Sequence, residues 1–347
     1  MRKISRRSFL MVAGTAAVSA ALAGCGSTSS AASSTASSAA AAGSSAASGV
    51  GALDGFVVGI CQLVQHEALD AATQGFKDKL TELVEADGAS VNFDELNASG
   101  DSANCTTIID GFIAEGVDLI LANATAPLQS AAAATSEIPV LGTSITDYAT
   151  ALEIEDWSGT VGGNISGTSD LAPLDQQAAM VKELFPDAKK VGLLYCAAEA
   201  NSVYQCTVIE EYLKNDGYEV EWYSFNDTND VTSVSQTAAE NSDVIYIPTD
   251  NTAASNTEAI ANVVLPAKVP VIAGEEGICS GCGVATLSIS YYDLGTTTGE
   301  MAYKILTGAA DIATMPIEYA PQVTKKYNAA NCEALGITIP EGYTAIE

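Results

Sequence analysis

Six short segments of the sequence concentrate carboxylate, amide and hydroxyl side chains, the groups with which this chain could hold a small polar molecule. They lie at residues 62–66, 123–127, 143–147, 199–202, 248–251 and 274–276. Thr, Asp and Asn at such places cap helices, whose free N–H groups can hold a carboxylate without Arg or Lys. A nearby Asp or Glu can pair with an ammonium group. The combination favours a zwitterion such as an amino acid, although helix capping alone would need the same residues at any one segment.

The charge balance excludes several classes of partner. The 347 residues contain 43 Asp and Glu against 14 Lys and Arg, for a net charge of −29, and no Arg follows Arg7. Nucleic acids and anionic membrane surfaces are excluded, because both require clusters of basic side chains. Without Arg beyond the N-terminus, a ligand carboxylate or phosphate cannot be held by a bidentate guanidinium group.

Catalytic and metal-binding patterns are missing from the sequence. His66 is the one histidine, so a multi-histidine metal site is impossible and a Ser-His-Asp triad would have a single candidate base. No Gly-x-Ser-x-Gly motif occurs. Cys279 and Cys282 have no second pair of zinc ligands, which leaves a small disulfide or two ordinary thiols. We therefore expect a protein that is not an enzyme and that uses no metal or cofactor.

The N-terminus has the pattern of a bacterial export signal. Residues 1–24 join a basic start with a twin-arginine-like Arg6-Arg7 pair to an apolar run that is short for a membrane span. The run ends in Leu-Ala-Gly-Cys25, which resembles a lipobox and predicts lipid attachment at Cys25. Residues 25–53 are mostly Gly, Ala and Ser and predict a disordered, lipid-anchored linker. The expected location is extracytoplasmic, anchored to the bacterial cell membrane.

The remaining chain has two halves with the same order of elements. Apolar strand-like runs begin near residues 57, 118 and 138 in the first half and near 191, 243 and 269 in the second. Helical patterns separate these runs, which predicts parallel sheets that are buried on both faces. We expect an α/β protein of two doubly wound lobes, each with its strand-end loops on one rim. The six polar segments would then meet at a shared site.

Nine residues of these loops are our candidate ligand contacts. Asp147, Asp170 and Asp250 are candidates for binding an ammonium group. Hydroxyl and amide groups are candidates for the carboxylate and the polar edge of the ligand, and His66 is as well explained by capping as by ligand contact. The hydroxyl and amide candidates are Thr125, Ser169, Asn201 and Thr249, and Gln62 and Asn251 complete the set.

Seven segments resemble the lipid-anchored substrate-binding proteins of tryptophan/tyrosine-type ABC importers. The resemblance implies a type I periplasmic-binding-protein fold, whose lobes are joined by a hinge of three chain crossings. It places lobe 1 at 54–166 plus 286–312 and lobe 2 at 167–285 plus 313–347. It also implies a small ligand, typically an aromatic amino acid, that is enclosed between the lobes. The segments are 62–70, 97–101, 124–127, 163–170, 199–202, 248–251 and 291–295.

The resulting hypothesis is a solute-binding lipoprotein that closes on its ligand and docks on an ABC permease with its ATPase subunit. Two alternatives remain open at this point. One is a sensory module that presents the ligand to a membrane receptor, and the other is a binding protein for a solute that is not an amino acid. The sequence departs from the family near the expected cleft, at Gln65-His66-Glu67 instead of Glu-His-Pro and at Tyr148 instead of a frequent proline.

Overall fold

The computed structural model describes residues 55–346. The predicted signal at 1–24, the whole of the predicted linker at 25–53 and the predicted lipidation site at Cys25 lie outside the described residues. The described chain forms two sheets with helices on both faces, which confirms the predicted α/β architecture of two parallel-sheet lobes.

Lobe 1 is built on a six-stranded parallel sheet with the spatial order β11-β5-β4-β3-β1-β2. Its strands are β1 (Phe56–Gln62), β2 (Val91–Asn97), β3 (Leu119–Asn123), β4 (Val140–Ile145), β5 (Ile165–Ser169) and β11 (Glu318–Tyr319). Its helices are α1 (Glu67–Ala86), α2 (Ser102–Glu115), α3 (Thr125–Ala134), α4 (Tyr148–Ala151) and α11 (Tyr291–Leu306), followed by a 3₁₀ turn at Ile312–Thr314.

Lobe 2 is built on a seven-stranded sheet with the spatial order β13-β12-β10-β9-β8-β6-β7, in which only the β10–β12 pair is antiparallel among the described strands. Its strands are β6 (Lys190–Cys196), β7 (Glu219–Phe225), β8 (Val244–Ile247), β9 (Val271–Ala273), β10 (Ala285–Ile289), β12 (Val323–Tyr327) and β13 (Thr344–Ala345). Its helices are α5 (Leu174–Leu184), α6 (Ala200–Asn215), α7 (Val231–Asn241), α8 (Asn251–Ala254), α9 (Thr257–Ala267), α10 (Glu276–Gly281) and α12 (Ala329–Leu335).

The apolar strands are continuous because helices cover both faces of each sheet. Every residue of β3 is buried. Ile120 packs in the core beneath α2 and α3, whereas Leu119 and Leu121 pack in a second core against α1 and α11. Strand side chains alternate between the faces, so both sets of alternating residues, 119–122 in β3, are apolar. This packing fixes the strands and leaves polar residues for the loops at their carboxyl ends.

The chain passes between the lobes after β5, after β10 and after β11. These positions differ from the expected boundaries at 166, 286 and 313, because β5 stays in sheet 1 through Ser169 and β10 stays in sheet 2 through Ile289. In addition, β11 pairs with β5 and keeps residues 313–319 in lobe 1. Gly167 lies inside lobe 1: a Cβ at this position would lie 2.1 Å from the carbonyl oxygen of Gly142, so glycine lets β5 approach β4.

The seven cysteines of residues 55–346 are all buried thiols without a disulfide, which includes Cys279 and Cys282 at the short helix α10. Groups of three or more metal-ligating side chains are absent from this part of the chain. Within the same range, no helix has both the length and the apolar character that crossing a membrane requires.

Candidate functional site

A small cavity lies between the two lobes, where the strand ends of both sheets meet. The loops after β1, β4, β5, β6, β8 and β9 all contribute to its wall, as expected for ligand sites at the carboxyl ends of parallel strands. Lobe 1 and the crossings supply His66, Leu69, Ser144, Thr146, Asp170 and Tyr291, and lobe 2 supplies Asn201, Thr249, Asp250, Asn251, Ala254 and Glu275.

The lobes are in direct contact around this cavity. His66 Nε2 lies 3.1 Å from Asn251 Oδ1, and Gln205 Nε2 donates to Thr146 Oγ1 at 3.3 Å. The hydroxyl groups of Thr146 and Thr249 lie 3.4 Å apart. Each contact joins a residue of lobe 1 to a residue of lobe 2. The structure is therefore a closed arrangement of the lobes.

Two larger depressions flank the cavity. One is lined by Glu199, Asn226 and Asp101 and shares Asn251 with the cavity, so it forms a mouth of the interlobe cleft. The other lies beside the crossing after β10 and is lined by polar and apolar residues, among them Lys326. We take the smaller cavity as the candidate site because six strand ends and three buried carboxylates meet there.

Asp170 is the carboxylate at the first crossing, and it is 4% exposed. Burial raises the pKa of Asp170, and hydrogen bonds from two hydroxyl groups partly offset this effect. Tyr291 Oη donates to Oδ2 at 2.9 Å, and Thr146 Oγ1 donates to Oδ1 at 3.0 Å. No backbone N–H of another residue donates to this carboxylate among the described contacts. Its negative charge is therefore stabilised by fewer backbone N–H groups than the charges of Asp250 and Glu275.

Asp250 and Glu275 are the other two carboxylates of the cavity wall, and backbone N–H groups hold both of them. Asp250 accepts from the N–H groups of Cys196 at 2.6 Å and Ala253 at 2.8 Å. Glu275 accepts from those of Gly277 and Ile278 at 2.7 and 2.6 Å. Burial raises the pKa of Asp250, helped by the charge of Glu199, and burial raises the pKa of Glu275 to about 7. Both carboxylates therefore also brace the loops that carry them.

The cavity wall contains no Lys or Arg. When ionised, three buried carboxylates without a basic partner create a negative potential in a region shielded from water, where electrostatic interactions are strong. An ammonium group would compensate this charge, whereas an anion without a cationic group would be repelled. The arrangement favours a ligand that carries a positive charge.

Five of the nine candidate residues lie around the cavity, and four do not. The five are Asp170, Asn201, Thr249, Asp250 and Asn251.

The other four all belong to lobe 1 and do not line the cavity. Gln62 bonds to Asp70 and Thr73 within the lobe, and Thr125 is buried at the start of α3. Asp147 accepts from the N–H of Thr150 and caps α4. Ser169 donates to the carbonyl oxygen of Thr146 and so fixes the adjacent loop.

Sequence reasoning missed four polar residues of the cavity wall, although each lies in a segment that it had singled out. Ser144 and Thr146 are neighbours of Asp147, and Glu275 lies at the centre of 274–276. Tyr291 opens the segment 291–295, whose position against the cleft depends on the second crossing. The segments were recognisable from their polarity, but which side chain turns inward depends on backbone geometry.

Comparison with known proteins identifies the family to which the chain belongs. Residues 57–345 match the sequence model of the family described as ABC transporter substrate binding protein. The chain is 35% identical over 260 residues to the tyrosine-binding protein of Clostridioides difficile (strain R20291), which covers 75% of this chain and 75% of that protein.

Two solved structures are similar over most of the chain. One is the ABC domain from Streptococcus pneumonia in complex with L-Trp, with 32% identity, a TM-score of 0.79 and coverage of 84% of this chain and 100% of that chain. The other is the ligand-free, open structure of a substrate-binding protein with adhesive properties from Clostridium difficile, with 32% identity, a TM-score of 0.63 and coverage of 84% and 99%. At equal identity, the liganded structure superposes better, as expected for a chain whose lobes are in contact.

Proposed function

We propose that this chain, which belongs to the ABC transporter substrate-binding protein family and has the type I periplasmic-binding-protein fold, captures an amino acid between its lobes. The observation that carries the proposal is the interlobe cavity, which has three buried carboxylates and no basic side chain. The carboxylates suit the ammonium group, and hydroxyl and N–H groups suit the carboxylate. The names of the two relatives, one tyrosine-binding and one solved with L-Trp, support an aromatic side chain.

Apolar surface in the cavity wall supports the same ligand class. Leu69 and Ala254 face the cavity from opposite lobes, and the ring of Tyr291 adds an aromatic surface. A ring enclosed by groups from both lobes would be removed from water only when the lobes are closed. Such a ligand stabilises the closed form because it gains contacts there that the open form cannot supply.

The proposed cycle begins with the lobes apart, because direct contacts across the cavity block entry in the closed form. The ligand enters, the lobes close, and the closed protein docks on an ABC permease whose ATPase subunit drives uptake. Substrate-binding proteins of this family are extracytoplasmic. We further propose that an export signal at 1–24 directs secretion and that a lipid on Cys25 holds the protein at the membrane through the linker at 25–53.

Calorimetric titration of the purified protein with the twenty common amino acids tests the proposal. The protein is first unfolded, dialysed and refolded, so that co-purified ligand is removed. We expect L-tyrosine or L-tryptophan to bind with a micromolar or lower Kd and to bind more tightly than any aliphatic amino acid. Binding of none of the twenty, with a sugar or nucleoside co-purifying from rich medium, would refute an amino acid as the ligand.

Affinity for the amino acid should fall as the pH is lowered from about 8 to about 6. Burial raises the pKa of Asp170, Asp250 and Glu275, the last to about 7, so the closed form without ligand favours their protonated state. The protonated carboxyl groups therefore stabilise the ligand-free closed form at low pH, and this stabilisation is lost as the pH rises through the raised pKa values. A ligand ammonium favours the ionised carboxylates, so binding should release protons.

Proton release is measured by calorimetry at pH 7 in two buffers with different ionisation enthalpies. The observed binding enthalpy should differ between the buffers, because each buffer takes up the released protons with its own enthalpy of protonation. An enthalpy that is the same in both buffers, together with a pH-independent Kd, would show that no carboxylate of the cavity changes its protonation on binding.

A further inference from the structure

The cavity wall has an unusual share of unpaired polar atoms. Eight buried side-chain N or O atoms of residues 55–346 have no hydrogen-bond partner. Three of them, His66 Nδ1, Ser144 Oγ and Asn201 Oδ1, belong to the twelve residues that line the interlobe cavity. A buried polar atom without a partner is costly, typically by about 1–3 kcal/mol, and such atoms persist where function requires them. Their concentration at one cavity indicates that a ligand pairs with them.

The backbone of Ser144 supports this interpretation independently. Ser144 has a φ of +56°, in the left-handed region that non-glycine residues rarely adopt. The pairing of β4 with β5 shifts its register between Gly142 and Ile145, which is the mark of a bulge. Bulges next to binding sites redirect a side chain, and backbone strain is retained at functional positions. The bulge here directs the buried hydroxyl group of Ser144, a residue that is 7% exposed, to the cavity wall.

The unpaired atom of His66 is a hydrogen-bond acceptor. Asn251 Nδ2 donates to Glu199 at 2.7 Å, so the Oδ1 atom of Asn251 faces His66 and accepts a hydrogen bond from the N–H of His66 Nε2. Burial lowers the pKa of His66 and favours the neutral ring. In a neutral ring that is protonated on Nε2, the Nδ1 atom carries a lone pair.

The unpaired atom of Asn201 is also an acceptor. Its Nδ2 group donates to the carbonyl oxygen of Thr249 at 2.9 Å and lies 3.3 Å from a Glu199 oxygen, which fixes the orientation of the amide. The Oδ1 atom then remains without a donor, in a residue that is 7% exposed. The cavity therefore offers two neutral acceptors, from opposite lobes, in addition to Asp170.

We infer that the three N–H groups of the ligand ammonium donate hydrogen bonds to His66 Nδ1, to Asn201 Oδ1 and to the Asp170 carboxylate. In the same inference, Ser144 Oγ donates a hydrogen bond to the ligand carboxylate. The inference rests on the proposed function, since it assigns the contacts of that same site. An ammonium group has three donors, which matches two neutral acceptors and one carboxylate. The hydroxyl of Thr146 already donates to Asp170, which leaves Ser144 as the lining hydroxyl with no partner.

Ligand analogues that lack one charged group separate these roles. The probes are L-tyrosine or L-tryptophan, whichever binds the wild-type protein more tightly, its deaminated acid and its decarboxylated amine, with weak analogues measured by competition. Asn201→Ala should weaken binding of the amino acid and of the amine by about tenfold or more and leave the deaminated acid unchanged. Ser144→Ala should weaken the amino acid and the deaminated acid by a similar factor and leave the amine unchanged.

Two further variants keep the test independent of folding. Ser144→Gly removes the same hydroxyl while glycine adopts the positive φ without strain, so it should lose the same affinity in a protein that is at least as thermally stable. Ser235→Ala removes another buried, unpaired hydroxyl that does not line the cavity, and it should leave all three affinities unchanged.

The outcomes also separate this inference from the function on which it rests. Equal losses for all three ligands, or full affinity in both the Asn201 and the Ser144 variants, would overturn the assignment while the amino acid function stands. If neither L-tyrosine nor L-tryptophan binds the wild-type protein, the proposed function itself fails, and the assignment fails with it.

Discussion

Replacing Asp170 with Asn should weaken amino acid binding by at least about thirtyfold, because it removes the buried charge that the ammonium group pairs with. Asp170 is the cavity carboxylate that only side-chain hydroxyls hold, those of Tyr291 and Thr146. Asn has the same shape and can still accept from one of them, so the loss of charge is the main change. Calorimetric titration gives the Kd, and the thermal unfolding midpoint shows whether the fold is retained.

Asp147→Asn is the matched control. Asp147 was an equal candidate for the ammonium group, but in the structure it caps α4 and does not line the cavity. Its amide variant should keep the wild-type Kd within about threefold. Equal losses in the two variants would point to a general effect of charge, and a wild-type Kd in Asp170→Asn would remove Asp170 from the site.

Gly295→Ala should lower the free energy of unfolding by about 3 kcal/mol or more. Helices α1 and α11 touch through their backbones: a Cβ at Gly295 would lie 2.1 Å from the carbonyl oxygen of Ala72. The helices must separate to admit the methyl group. Because Tyr291 opens α11 and donates to Asp170, a shift of α11 should also weaken ligand binding.

Gly111→Ala provides the control for the glycine substitution itself. Gly111 lies in α2, and nothing lies within 4 Å of a Cβ built there. Alanine is the better helix former, so this variant should gain about 0.5–1 kcal/mol. Denaturant titrations of the three proteins give the comparison. A Gly295 variant as stable as the Gly111 variant would show that the α1–α11 contact tolerates a side chain.

The fold could be predicted from the sequence because both halves repeat a simple physical pattern. The run at 119–122 of β3 is apolar at every position, as expected for a strand that is covered on both faces. The points where the chain passes between the lobes were harder to predict, because a glycine can lie in a turn or at a close contact between two strands. Gly167 allows β5 to pack closely against β4 inside lobe 1, whereas the family resemblance had placed the first boundary between 166 and 167.

The site could be predicted to the level of segments but not of every side chain. Gln62 is the last residue of β1 and its side chain bonds within lobe 1, whereas His66 lies beyond the strand, at the N-cap of α1, and reaches the cavity. In the segment 143–147, a bulge presents Ser144 and leaves Asp147 to cap the next helix. A bulge depends on pairing with β5, a strand about twenty residues further along the chain, and its position is not encoded in local polarity.

The most direct test of the central claim is a crystal structure of the protein with its tightest-binding amino acid. We predict that the ligand lies between the closed lobes, with its ammonium group within hydrogen-bond distance of Asp170 and its carboxylate near Ser144. A ligand found instead in the depression beside Lys326, or an ammonium group that contacts none of the cavity carboxylates, would contradict the account.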